Sequence, residues 1–195
     1  EMLRSLVGSE MCIRDRCREF GLDPEKQLHL YISSFGYASM SEEEVAELSK
    51  MAGTDFTGFA KTNRISMQET LRWFDEYLGQ HPEVELVYRR HPSEWNSPAL
   101  EALAKKRPNF HVIFADSVKQ WIVAADSISI WMSTAIAEVY MAGKSCHILR
   151  PVPIEHEYDP VIYKDARYVT SYDAFAAAMA VSYTHLRAHE TPEHL

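Results

Sequence analysis

The sequence predicts an α/β protein built on a doubly wound, mostly parallel, Rossmann-like sheet of six strands. Short apolar runs alternate with segments of helical period, which is typical of βαβ units whose parallel sheet is covered on both faces. The runs 84–88 and 110–114 carry few charges, as strands buried on both faces should. The predicted strands are 29–35, 84–88, 110–114, 127–132, 146–149 and 167–170.

Serine residues mark where most of the predicted helices begin, because a serine hydroxyl can accept a hydrogen bond from the first turn of a helix. Ser66 precedes Glu69 at capping-box spacing, and the stretch 54–64 before it is predicted to be irregular. The helix that begins at Ser133 is expected to close at Gly143. The expected starting residues are Ser41, Ser66, Ser97, Ser117 and Ser133.

Composition limits the classes of ligand and partner. The net charge of −8 argues against a broad nucleic-acid surface, although a small anion site needs only a local positive patch. The three cysteines form no ligand-spaced cluster, so neither a disulfide framework nor a metal site is expected. No apolar stretch approaches the roughly 20 residues of a membrane span. We expect a cytoplasmic protein, free or peripheral to the inner membrane, with no nucleic-acid partner and no cofactor.

The two ends of the chain, 1–16 and 181–195, differ in character from the rest. Both resemble peptides that arise when sequencing-adapter DNA is read as coding sequence, and neither shows a sustained helix or strand period. We therefore expect residues 17–180 to form the native domain and the natural protein to extend beyond both of its ends. The histidines of the last segment are not interpreted as metal ligands.

The first candidate ligand-binding stretch, Arg90-His91-Pro92, follows the predicted strand 84–88. Ligands of open α/β sheets bind outside the carboxyl ends of the strands, and Pro92 cannot continue a strand ladder. His91 can donate a hydrogen bond to a phosphoryl oxygen, and Arg90 adds positive charge. A satisfied structural histidine is the alternative. Glu94 could orient the imidazole or could begin the next helix.

The second candidate stretch, Ser133-Thr134, follows the predicted strand 127–132. Hydroxyls and unpaired backbone N–H groups at a helix start can hold an anion. Glu138, about one turn further on, could accept hydrogen bonds from a pair of ribose hydroxyls. The alternatives are an ordinary helix cap at Ser133 and a solvent-facing carboxylate at Glu138.

Ser33 and Ser34 lie at the end of the first predicted strand, where a backbone turn can approach a phosphate. The sequence contains no GxGxxG, no GxxxxGK[ST] and no GxSxG, which disfavours a dinucleotide-dependent dehydrogenase, a P-loop protein and an α/β-hydrolase. The side chains that follow the strands favour an anionic ligand with phosphate groups.

The order of these motifs along the chain (SSF, RHP, ST, a glutamate, GK and RP) resembles the C-terminal, donor-binding domain of GT-B glycosyltransferases. It is similar above all to bacterial surface-polysaccharide enzymes with an HP motif, namely capsule Kdo transferases and sialyltransferases. The resemblance implies that His91, Ser133 and Thr134 contact the phosphate of a CMP-sugar and that Glu138 binds the ribose. It implies a glycan or lipid-linked acceptor and an N-terminal lobe that supplies the general base, so no catalytic residue is assigned.

Two other functions remain open on the sequence. A nucleotide-sugar epimerase or a polyol-phosphate transferase would combine the same His-Pro stretch and hydroxyl-rich turn. A non-enzymatic partner-binding module, such as a receiver domain, would need strand-end acids and a lysine, for which Asp116, Asp126 and Lys144 are candidates.

Overall fold

The computed structural model describes residues 17–95, 97–154, 161–163 and 166–189, with side chains up to residue 180. Six strands form one sheet in the order β3-β2-β1-β4-β5-β6, and every pairing is parallel. This confirms the predicted Rossmann-like α/β class. The strands are β1 (Gln27–Ile32), β2 (Val84–Arg89), β3 (Phe110–Val112), β4 (Ser127–Ile130), β5 (His147–Leu149) and β6 (Arg167–Val169).

The described residues include six α-helices, and five of them pack on the two faces of the sheet, where the alternating side chains of the strands present apolar groups on both sides. The helices α4 and α5 pack on the face of Leu30 and Ile130, whereas α2, α3 and α6 pack on the face of Tyr31 and Trp131. The helices are α1 (Glu42–Ala52), α2 (Thr57–Gln80), α3 (Pro98–Lys106), α4 (Val118–Ala124), α5 (Ile136–Met141) and α6 (Tyr172–His189).

The second helix begins earlier than the sequence predicts. α2 is one helix of 24 residues, so the predicted start at Ser66 is wrong. The predicted irregular stretch 54–64 is confirmed only for 54–56, because residues 57–64 already belong to α2. Ser66 lies fully buried within the helix, on the same side as the buried Asn63 and Thr70. These small polar side chains interrupt the apolar stripe in the sequence, although the helix buries them against the sheet.

The helix after β4 begins later than predicted. α5 starts at Ile136, and its N-cap is Ala135, which makes no side-chain capping bond. Ser133 is therefore not the N-cap. The predicted end of the helix at Gly143 is confirmed, because Gly143 has the left-handed φ of 72° that favours glycine. Ser41, Ser97 and Ser117 cap their helices as predicted.

The last helix extends beyond the predicted end of the domain. α6 continues to His189, beyond residue 180 and into the terminal segment that the sequence sets apart. Residues 1–16 lie outside the described residues. Among the helices described, none is long and apolar enough to cross a bilayer.

Candidate functional site

A cavity of about 320 Å³ opens at the carboxyl edge of the sheet, where β1 and β4 lie side by side. The strand order reverses direction at this pair, and crevices at such switch points are the usual ligand sites of doubly wound sheets. Seven of the eight predicted site residues line this cavity: Ser33, Arg90, His91, Pro92, Ser133, Thr134 and Glu138.

Ser34 is the predicted residue that the structure does not bring to the cavity wall. Its backbone carbonyl accepts a hydrogen bond from the Asn63 side chain at 3.5 Å, so this residue faces α2.

His91 lies exposed at the cavity, and its ring is held from one side. The Ser93 backbone N–H donates to Nδ1 at 3.2 Å, and the Ser93 hydroxyl lies 2.7 Å from the same nitrogen. Because an N–H can only donate, Nδ1 is the acceptor and the neutral ring carries its proton on Nε2. An Nε2–H group on the cavity wall can donate to a phosphoryl oxygen.

Glu94 does not orient His91, although the sequence raised that possibility. Its carboxylate is buried and accepts hydrogen bonds from Ser33 Oγ at 2.6 Å, Tyr88 Oη at 2.6 Å and the Phe35 N–H at 3.1 Å. Burial, together with the Glu94 charge, raises the pKa of the Tyr88 hydroxyl well above its usual value, so Tyr88 stays a donor. Three donors offset the lost hydration of the carboxylate. Glu94 thus joins the turn after β2 to the end of β1.

The two adjacent arginines have different surroundings. Arg89 donates to the backbone carbonyls of Ala115 (2.7 Å) and Asp116, and burial lowers its pKa, partly opposed by the Asp116 charge. Arg90 lines the cavity, and its guanidinium carbon lies 5.8 Å from the centre of the Phe114 ring. The Arg90 Nε is buried and makes no hydrogen bond within the part of the chain that the structure describes. Arg90 therefore keeps donors for an anion.

Tyr163 fixes the turn before α5. The Ser133 N–H donates to the Tyr163 hydroxyl, which in turn donates to the Ser133 carbonyl at 3.1 Å. The Ser133 hydroxyl accepts from the Ala135 N–H at 3.2 Å, which leaves its own proton for a ligand. No local pattern marks Tyr163, because it contacts Ser133 across thirty residues of chain.

Glu138 lies in the first turn of α5 and also lines the cavity. Its Oε2 atom is buried and has no hydrogen-bond partner among the described residues. A buried carboxylate oxygen without a donor is costly, and ligand hydroxyls can supply the missing donors.

The acids and the lysine that a receiver domain would need do not meet. Asp116 follows β3 and lies at the carboxyl edge, where its carbonyl accepts from Arg89. Asp126 precedes β4 and accepts the Leu28 N–H at 2.8 Å, and the Lys144 ammonium donates to the Ala125 carbonyl at 2.6 Å. Both therefore lie at the amino edge of a parallel sheet, which disfavours the receiver-domain hypothesis.

Comparison with known proteins gives a likeness at the level of structure. No family model matches the sequence, and no curated protein matches it. Among solved structures, the chain is similar to Thermosulfurimonas dismutans KpsC, a beta Kdo 2,4 transferase, with 16% sequence identity and a TM-score of 0.36. The alignment covers 89% of this chain and 55% of that one, so the chain spans about half the length of its neighbour.

Proposed function

We propose that this chain is the donor-binding part of a glycosyltransferase that moves a sugar from a nucleotide-sugar to a surface glycan. A CMP-sugar is the first choice of donor and a UDP-sugar the second. One observation carries the proposal: His91 from the end of β2 and Ser133–Thr134 from the end of β4 line a single cavity at the switch point of the sheet.

In this proposal the donor phosphate lies between the two stretches. The His91 Nε2–H and the Ser133 hydroxyl donate to phosphoryl oxygens, and the Arg90 guanidinium supplies the positive charge. Fixed donors of this kind stabilise the negative charge that develops on the leaving nucleotide when the glycosidic bond breaks. The role of Glu138 is to accept hydrogen bonds from the ribose hydroxyls.

The six-residue α5 contributes less to phosphate binding than the sequence predicts. Its first N–H groups bond to nearby carbonyls, with Ile136 donating to Ser133 at 3.3 Å and Ala137 donating to Thr134 at 3.1 Å. The proposed phosphate site therefore depends on side chains rather than on the dipole of a long helix. The base that activates the acceptor is not assigned to any residue of this chain.

Isothermal titration calorimetry of the 195-residue chain tests the proposal. We expect CMP to bind in the millimolar range or tighter, and cytidine, which lacks the phosphate, to bind about tenfold or more weakly, a difference of about 1.4 kcal/mol. CDP and UDP are titrated in parallel to rank the donor class. Absence of binding by all three nucleotides, or equal binding of CMP and cytidine, would overturn the proposal.

A further inference from the structure

A wider depression, of about 870 Å³, lies next to the candidate phosphate cavity. It opens between the loop that follows β1 and the turn that follows β2. Ser93 connects the two sites, because it lines the depression while its hydroxyl lies 2.7 Å from Nδ1 of His91, which lines the phosphate cavity. A molecule in the depression would thus lie beside the turn that carries His91, on the other side of Ser93 from the proposed phosphate.

Trp95 lies at this depression with 75% of its surface exposed. The other three tryptophans of the chain are each 2% exposed or less. Exposing so large an aromatic surface forgoes the free energy of burying it, and exposed aromatic side chains beside a cleft are typical of recognition surfaces.

The remaining lining suits a neutral ligand better than an anion. The described residues that line the depression include no lysine, arginine or histidine. Their single carboxylate, on Glu44, accepts the Ser41 N–H at 2.7 Å within a helix cap. Serine hydroxyls (Ser39, Ser97) alternate there with apolar side chains such as Leu48. A mixed surface of this size falls within the about 300–1,000 Å³ of small-molecule sites.

We propose that this depression binds an uncharged pyranose unit of a glycan, stacked on the Trp95 indole. A pyranose ring has an apolar face of C–H groups and a rim of hydroxyls, which matches one exposed indole surrounded by serines. The identification of this pyranose as part of the acceptor glycan, and not of another glycan, rests on the proposed function. The acceptor hydroxyl would then meet the donor sugar at the turn that carries His91 and Ser93.

Saturation-transfer NMR with the full chain tests this surface, with maltohexaose and cellohexaose as the probes. We expect saturable millimolar binding of at least one hexasaccharide. Trp95→Ala should weaken it about tenfold, whereas Trp95→Phe, which keeps an aromatic face, should retain most of it. Met141→Ala is the matched control, because Met141 is 78% exposed on α5 and does not line the depression.

The outcomes separate this inference from the proposed function. Circular dichroism confirms that each variant is folded, and CMP binding is measured alongside. If CMP binds but neither hexasaccharide does, or if Trp95→Ala binds the sugar as well as the unsubstituted chain, the sugar surface is refuted and the phosphate site stands. If the sugar binds through Trp95 and no nucleotide binds, the sugar surface stands and the proposed function fails. Absence of both refutes both.

Discussion

The hydrogen bonds around His91 and Glu94 show how single residues shape the candidate site. Glu94, buried and bonded to Ser33, Tyr88 and the Phe35 backbone, holds the turn after β2 against the end of β1. The same turn places Ser93 against Nδ1 of His91. The imidazole is consequently ordered before any ligand arrives, which lowers the entropic cost of binding.

Replacing His91 should weaken nucleotide binding without unfolding the protein. His91→Ala removes one hydrogen bond to a charged phosphate, so we expect a loss of about 1–3 kcal/mol in CMP binding, measured by calorimetry. The exposed ring contributes little to the core, so the urea midpoint should stay unchanged. His81→Ala is the matched control, because His81 lies before β2 at the opposite edge of the sheet. Unaltered CMP binding combined with a lower urea midpoint would instead show that His91 is structural.

At the scale of elements, the pairing of β1 with β4 creates the crevice and also buries a histidine. His29 on β1 lies between two serines of β4, with Nδ1 2.7 Å from Ser127 Oγ and Nε2 2.7 Å from Ser129 Oγ. Burial, with a smaller contribution from His147, lowers the pKa of His29 to about 3. The pairing therefore requires a neutral imidazole.

The unfolding free energy should consequently fall in acid. The folded-state pKa of His29 lies below its unfolded value, so between pH 6.5 and about 3 the unfolded chain binds a proton that the folded chain does not. Stability should decline by up to about 1.4 kcal/mol per pH unit as the pH falls through this window. Burial also lowers the pKa of His147, which acts in the same direction.

Urea unfolding as a function of pH measures this dependence. His29→Gln keeps hydrogen-bonding capacity but does not titrate. It should reduce the pH dependence of the unfolding free energy in this window by the equivalent of about one proton. His81→Gln controls for the general effect of replacing a histidine. An identical slope for His29→Gln and the unsubstituted chain would contradict the assignment.

On the scale of the whole molecule, the six strands tie two cores into one cooperative unit. Leu30 and Tyr31 are neighbours on β1 but belong to opposite cores, and Ile130 and Trp131 at the end of β4 are divided in the same way. Loss of packing in one core would therefore disrupt the strands that also support the other core.

Equilibrium unfolding should accordingly follow a single transition. Trp121 reports on one core, Trp73 and Trp131 report on the other, and far-ultraviolet circular dichroism reports on the helices. We expect the urea midpoints from tryptophan fluorescence and from circular dichroism to coincide. Separate midpoints, or a biphasic fluorescence curve, would show that the two cores unfold independently.

The sequence by itself determined the α/β class, a mostly parallel sheet of six strands and most of the residues that line the cavity. Strands buried on both faces must be apolar runs, and parallel strands must all end at one edge, so side chains such as His91 and Ser133 that follow different strands are placed near one another by topology alone. Local chemistry was equally informative at Ser41 and Ser117, because a cap acts within one turn of its own helix.

Only the tertiary structure decided the helix boundaries, the buried polar residues and the long-range hydrogen bonds around those positions. Four features depend on contacts between residues distant in sequence or on which face of a helix meets the sheet. They are the start of α2, the start of α5 three residues after Ser133, the burial of Glu94 and the hydrogen bonds between Tyr163 and Ser133. A polar residue such as Ser66 has the same sequence signature at a cap as in a buried helix face, and it is the packing against neighbouring elements that distinguishes the two. Burial and long-range hydrogen bonding are properties of the folded arrangement, which no local pattern encodes.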